Sequence, residues 1–274
     1  MSSERQVKIM QDYRTTALVA TPSYALVIAD RMESMGVDAK TLTLKFAMLA
    51  GEPWSEEMRQ EIETRLYVKA TDNYGLSEIM GPGVAGECLY QAGMHLNEDH
   101  FIFEVVEPKT GKNLDSGEVG ELIITTVTKE AFPLIRFRTG DLCSMEYEAC
   151  QCGRNLARMS RVLGRTDQVI IVKGINIIPS RVGDLLEEVL GSRPFYQLVV
   201  ERKGHLDSLT VQVEVSEDLF FDKMREQRSL IERMGEKVSG GIGVNPRIIL
   251  VEPGSIKPKE ESPFNVVDYR KISS

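Results

Sequence analysis

Leu44, Phe46, Ala47, Met48 and Leu49 make a short apolar run that stops at Gly51-Glu52-Pro53, the pattern of a buried strand entering a turn. Ser55 followed by Glu56 and Glu57 marks a helix start, and Met58, Ile62 and Leu66 recur at i, i+4 and i+8 as one core-facing stripe. Residues 101–106 and 121–127 alternate as strands do and flank the turn-forming Glu107-Pro108-Lys109-Thr110-Gly111-Lys112. The first half thus reads as mixed α/β with an antiparallel portion. Near Gly164 the pattern changes to strand, helix (180–190), strand (197–201), strand (209–215), long helix (217–238) and strand (247–251), a small α+β unit. The predicted organisation is two domains, 1–163 and 164–274.

Length and composition narrow the function classes. A chain of 274 residues with 42% hydrophobic and 27% charged residues can bury a substantial core. A formal net charge of −8 argues against nucleic acid or an anionic membrane as partner and in favour of small molecules. No apolar run approaches the roughly 20 residues that span a bilayer. Met1-Ser2-Ser3-Glu4-Arg5 does not begin a secretory signal, so the chain reads as cytoplasmic. Four cysteines are too few for a disulfide scaffold and leave thiols or metal ligation as the options.

Three groups of residues carry candidate chemistry. Residues 72–88 combine glycines at 75, 81, 83 and 86 with Ser77 and Glu78, the ingredients of an anion-handling loop whose carboxylate can hold a hard divalent cation; a plain surface turn is the alternative. Asp141, directly after Arg138-Thr139-Gly140, can accept both hydroxyls of a ribose, and Arg165 adds a fixed charged fork; a turn cap and a surface ion pair are the other readings. Cys150-Gln151-Cys152 with Cys88 and His95 supplies a Cys₃His set suited to tetrahedral zinc, the alternative being inert thiols, with Cys143 as a core thiol.

The succession of 72–88, Arg136-Phe137-Arg138-Thr139-Gly140-Asp141-Leu142, Gly164-Arg165-Thr166-Asp167-Gln168 and Gly174-Ile175-Asn176-Ile177-Ile178-Pro179 resembles the acyl-adenylate-forming enzymes, and among them the phenylacetate–coenzyme A ligase family. Thr21-Pro22-Ser23-Tyr24-Ala25 and Gly51-Glu52-Pro53-Trp54-Ser55-Glu56 extend the likeness, which runs from about Arg14 onward. It implies the adenylate-forming fold: part of a large AMP-binding domain, then a small mobile domain hinged at Asp167. It also implies ATP-dependent conversion of an aryl acid to an acyl-AMP and then to a coenzyme A thioester.

By the same resemblance Gly51, Glu52, Pro53, Tyr74, Ser77, Asp141 and Arg165 bind nucleotide, and Glu78 holds magnesium, acting with Ser77 at the reacting phosphate. Tyr24, Ile79, Met80, Gly81 and Pro82 line the acid pocket, Lys173 and Gly174 face the pantetheine of coenzyme A, and Cys88, His95, Cys150 and Cys152 hold a structural zinc. Two departures stand out: the family's upstream phosphate-gripping loop has no counterpart here, and Ser262 occupies the position of the family's adenylation lysine, with Lys259 or Lys257 as nearby substitutes. The resemblance therefore points to a ligase portion, either a fragment of a longer enzyme or one that works with a separately encoded N-terminal segment; a homo-oligomer is the other partner expected. The competing expectation is a non-catalytic, ligase-like binding module that retains the zinc.

Overall fold

The computed structural model describes residues 2–216, 224–257 and 264–270. The chain divides into two compact units, the first running to Asp167 and the second beginning at Gln168. The division falls after the expected boundary at 163 because Gly164 and Arg165 form a strand that pairs back onto the first unit.

The first unit opens with helix α1 (Ser3–Asp12), strand β1 (Ala17–Ala20) and helix α2 (Pro22–Ser34). Thr21 caps α2 by accepting from Tyr24 N–H, and Pro22 occupies the first helical position, where its missing N–H costs nothing. Strand β2 (Phe46–Ala50) begins two residues after the predicted start and leads into α3 (Glu56–Leu66), capped by Ser55. As the spacing implies, Met58, Ile62 and Leu66 are all buried. Strands β3 (Lys69–Leu76), β4 (Met80–Glu87) and β5 (Met94–Leu96) follow, then β6 (Phe101–Val106), β7 (Gly120–Thr126), β8 (Phe137–Cys143), β9 (Met145–Glu146), β10 (Arg158–Met159) and β11 (Gly164–Arg165).

These strands build two sheets. One has the order β1-β2-β3-β4-β5-β10-β9, parallel from β1 to β3 and antiparallel beyond; the other has the order β11-β8-β7-β6. The three helices pack on one face of the parallel portion through Val7, Leu26, Ile28, Ala47, Leu49, Ile62 and Ala70. A second core forms where the antiparallel portion meets the other sheet, with Val84, Met94 and Leu96 facing Phe101, Leu122, Ile124 and Cys143.

The second unit opens with the hairpin β12 (Ile170–Val172) and β13 (Ile175–Ile177), followed by α4 (Pro179–Leu190). Strands β14 (Tyr196–Lys203) and β15 (Leu206–Glu214), helix α5 (Met224–Ile242), and strands β16 (Arg247–Val251) and β17 (Phe264–Asp268) complete it. Its sheet order is β16-β15-β14-β17. Of the helix expected over 217–238, residues 217–223 lie outside the described residues. The helix runs on through Gly240 and Gly241, where a Cβ on Gly241 would come within 2.4 Å of the Leu185 side chain, so the glycine serves helix contact and does not end the helix.

Candidate active site

The glycine-rich stretch is a β-hairpin: β3 and β4 pair, and Ser77, Glu78 and Ile79 form the turn. The glycines are spread over the two strands, Gly75 in β3 and Gly81, Gly83 and Gly86 in β4, and the turn itself is left to Ser77, Glu78 and Ile79. A Cβ on Gly75 would sit 2.2 Å from Gly81 O, so that glycine answers to the close approach of two strands. Ser77 and Glu78 are exposed at the turn, as an anion or cation site requires. Lys129 fixes the turn from β7's far end: its Nζ donates to Glu78 O at 2.7 Å and to Ile79 O at 2.8 Å.

The expected acid-pocket wall is not assembled by the contacts of the described residues. Ile79 is buried in the core between the sheets, whereas Met80, Gly81 and Pro82 are exposed. Tyr24 packs on the helical core, and its hydroxyl donates to Gln6 Oε1 at 2.8 Å. A tyrosine tied to α1 in this way is explained by packing.

Tyr74, Asp141 and Arg165 do converge. Asp141 sits on β8, opposite Arg165 on β11, and Tyr74 reaches it from the end of β3. The Tyr74 hydroxyl donates to Asp141 Oδ2 at 2.6 Å, and Arg165 Nη1 donates to Asp141 Oδ1. Arg165 also forks onto Asp167, Nε to Oδ1 at 2.7 Å and Nη2 to Oδ2 at 2.8 Å, and reaches Thr139 O at 3.0 Å. Gly140 makes room for this fork: its φ is +77°, and a Cβ there would lie 2.7 Å from Asp167 Oδ2 and 2.8 Å from Arg165 Nη2. Burial pushes the Asp141 carboxyl above its ordinary range, against the lowering pull of Tyr74 and Arg165. Burial, and then the neighbouring Asp141, raise the Tyr74 phenol as well.

Gly51 and Pro53 flank the carboxyl end of β2, the end of a parallel sheet where open α/β folds place ligands. Gly51 is exposed with φ +83°, while Glu52 is buried and its Oε2 accepts from Ser23 N–H at 3.2 Å, so Glu52 braces the start of α2. Trp54, next along, is stacked by two guanidiniums, Arg59 at 4.7 Å and Arg161 at 5.5 Å from its ring centre. Arg59 grips Glu87 with both Nη atoms at 2.7 and 3.0 Å, Arg161 reaches Glu56 at 2.8 Å, and Asp72 lies 4.0 Å from Arg161.

The four predicted metal ligands meet. Cys88 follows β4, His95 lies on β5, and Cys150 and Cys152 sit on the connection between β9 and β10; their ligating atoms all lie within 4.8 Å of one another. Cys88 and Cys150 sulfurs are 3.8 Å apart and Cys152 sulfur is 3.4 Å from His95 Nε2. Zinc with ordinary Zn–S and Zn–N bonds sets tetrahedral edges of about 3.8 Å between sulfurs and about 3.6 Å between sulfur and nitrogen, so the donor set fits that ion. Burial lowers the His95 imidazole, which favours the neutral, ligating form. The Arg154 backbone N–H draws the Cys152 thiol down to about 7. Cys143 stands apart as a core thiol that burial pushes up to about 12.

Comparison with known proteins gives this geometry its context. Residues 174–270 match the AMP-binding enzyme C-terminal domain. The phenylacetate-coenzyme A ligase of Thermus thermophilus is 43% identical over 98% of this chain, and that of Escherichia coli is 39% identical over 98%. The chain is a homologue of the phenylacetate–coenzyme A ligases. It spans 64% and 62% of the length of those two relatives. A crystal structure of 2-hydroxyisobutyryl-CoA ligase in complex with 2-HIB-AMP and CoA superimposes with a TM-score of 0.89 at 24% identity, covering 97% of this chain and 57% of that one. The amide bond synthetase McbA of Marinactinospora thermotolerans gives 0.65 at 17% identity over 94% of this chain and 52% of its own. The ligase homologue therefore has the C-terminal part of the adenylate-forming fold.

In the second unit of the ligase homologue, Lys173 and Gly174 are the exposed two-residue tip of the β12–β13 hairpin, with φ of +52° and +74°, the positive values a primed turn demands. Lys259 and Ser262 lie outside the described residues; Lys257 is exposed. Among the described residues no helix is long and apolar enough to cross a membrane. Sequence reasoning missed Lys129 and Glu121. Glu121 is buried, accepts from Gly140 N–H at 3.2 Å and from Arg138 Nε at 3.0 Å, and so holds the segment that carries Asp141. A buried glutamate on an otherwise apolar strand was the available signal.

Proposed function

We propose that the ligase homologue supplies the nucleotide and thioester half of an AMP-forming ligase that joins an aryl acid of the phenylacetate class to coenzyme A. The convergence of Tyr74, Asp141 and Arg165 carries the reading. Asp141 accepts the ribose hydroxyls, Arg165 supplies positive charge beside them, and Tyr74 orients the carboxylate. At the hairpin turn Ser77 donates to a phosphate oxygen, and Glu78 is the magnesium ligand, where the ion would neutralise phosphate charge. Gly51 to Pro53 take the adenine side, Lys173 and Gly174 the coenzyme A side, and Asp167, the last residue of the first unit, is the hinge to the second. The cysteine–histidine set holds zinc as a structural knot. All four ligand positions come from the chain, which leaves no open position for hydrolytic chemistry.

The remainder of the ligase, absent from this chain's span of its relatives, brings the grip on the outer phosphates. The test is calorimetric titration with a non-hydrolysable phenylacetyl-adenylate analogue. One-to-one binding is expected, weakened about 10- to 100-fold in Asp141→Ala, since a hydrogen bond to a charged group is worth about 1.5–3 kcal/mol. Equal affinity in that variant refutes the assignment.

A further inference from the structure

In the second unit the hairpin β12–β13 is a sheet of its own, separate from the four-stranded one, and two strands alone hold together poorly in water. Its side chains Ile170, Val172 and Ile177 are buried in the core of that unit. They settle which face of the hairpin lies down, and leave the direction of its tip to other contacts. The two-residue turn at Lys173 and Gly174 makes Val172 and Ile175 a hydrogen-bonded pair, so at the next pair, Ile171 and Asn176, the backbone groups of Ile171 point away from the partner strand. Arg270 meets the Ile171 carbonyl there, Nη1 donating to it at 2.5 Å. The same Nη1 donates to Asp207 Oδ2 at 2.6 Å, at the start of β15. Nε and Nη2 hold the two oxygens of Asp268, at the end of β17, at 2.9 and 2.5 Å. The Arg270 and Asp207 side chains are 3% and 0% exposed. One guanidinium thus ties the hairpin, two residues before its tip, to both β15 and β17.

A buried ion pair adds little net stability over well-packed apolar residues of similar volume. What this one adds is direction, because the planar fork of an arginine can hold a carbonyl and two carboxylates at once, as the point charge of a lysine cannot. We infer that Arg270 is a positioning residue for coenzyme A. By gripping Ile171 O it sets the orientation of the Lys173–Gly174 tip before the ligand arrives, so binding need not immobilise a wandering turn. Asp207 and Asp268 act through it, each fixing one side of the guanidinium. The inference rests on the ligase reading, which puts coenzyme A at that tip.

The test compares the parent chain with Arg270→Lys, which keeps a charge opposite Asp207 and loses the fork, and with Arg202→Lys. The second variant disturbs the same carboxylate from β14, where Arg202 Nε donates to Asp207 Oδ1 at 2.8 Å. Both are expected to lower the urea midpoint of the second unit. Only Arg270→Lys is expected to speed amide exchange at 171–176 about 10-fold and to weaken coenzyme A binding about 10-fold in calorimetry, with the affinity for the phenylacetyl-adenylate analogue unchanged. In thioester formation from phenylacetyl-adenylate the loss is expected in KM for coenzyme A, with kcat in place. Asp268→Asn, at a partly exposed position, loosens the same guanidinium without touching Asp207 and should move exchange and coenzyme A affinity the same way by about 3-fold. Coenzyme A affinity unchanged in Arg270→Lys, or lowered as much in Arg202→Lys, overturns the inference and leaves the ligase reading standing. A parent chain that binds no coenzyme A overturns the ligase reading at this tip, and the inference with it, even where exchange at 171–176 responds as expected.

Discussion

Asp72→Asn should stabilise the first unit at neutral pH. Asp72 is one of three carboxylates, with Glu56 and Glu87, that share two guanidiniums around Trp54, so the group is balanced only when one carboxylate carries a proton. Burial, the largest cause, lifts the Asp72 carboxyl from its ordinary 3.8 to about 6, and the charge on Glu87 adds to it. Below pH about 4 the group is protonated in folded and unfolded chains alike and costs nothing. Between about 4 and 6 the folded chain keeps a proton that the unfolded chain releases, so stability falls as pH rises. Above about 6 the whole difference is spent, about 3 kcal/mol for the interval between the two values. An asparagine keeps the shape without the charge.

The assay is urea unfolding followed by the fluorescence of Trp54, the single tryptophan of the chain, which is buried beside the substituted residue. With a slope of about 2 kcal/mol per molar, the midpoint should rise by about 1–1.5 M at pH 7.5 and by almost nothing at pH 4. A variant less stable than the parent at pH 7.5, or a gap that stays constant with pH, would show that Arg161 and Trp54 hold Asp72 ionised and would refute the reasoning.

Other perturbations have equally definite outcomes. Gly140→Ala forces a Cβ against Arg165 and Asp167 at a left-handed φ, and should cost about 1–3 kcal/mol in the same urea assay; an unchanged midpoint would mean that the fork yields freely. Lys129→Met removes both donors from the turn at Glu78 and Ile79, so amide exchange at 77–79 should speed up about 10-fold with little change in global stability, and Lys129→Arg should restore part of the protection. Metal analysis should find one zinc per chain; its removal by a chelator should lower the melting temperature of the first unit, and Cys150→Ser should purify without the ion. Tyr74→Phe deprives the buried Asp141 of a 2.6 Å donor and should cost about 1–2 kcal/mol, measured by the same unfolding experiment.

What the sequence disclosed depended on how local the cause was. The stripe Met58, Ile62, Leu66 and the Ser55 cap need only one helix, and they were readable at once. The cysteine–histidine cluster was readable because three of its members announce themselves by residue type, although His95 and Cys152 are far apart in the chain. The glycines of 72–88 misled because glycine serves a tight turn and a close strand crossing equally well, and only the partner strand decides between them. Lys129 and the Arg161 half of the stack on Trp54 escaped for the same reason: their partners lie tens of residues away, on elements whose adjacency no local pattern encodes. The acid pocket was least legible, because it was drawn from likeness alone: Tyr24 and Ile79 fall into different cores, and Met80, Gly81 and Pro82 are exposed.

The strand order of the second unit's sheet has a bearing on how the chain is made. Strand β17 pairs parallel with β14, joining Phe264 to Tyr196, and just beyond it Arg270 is buried against Asp207 at 2.6 Å. Asp207 is fully buried and also holds Arg202, so before Arg270 arrives it lacks one of its two counter-charges. During synthesis the hairpin β14–β15 and both helices leave the ribosome well ahead of the strand that closes their sheet. Until then they present an open β14 edge. A growing chain in that state is a natural client for holding chaperones, and a frameshift or nonsense codon near residue 260 would strand it there permanently.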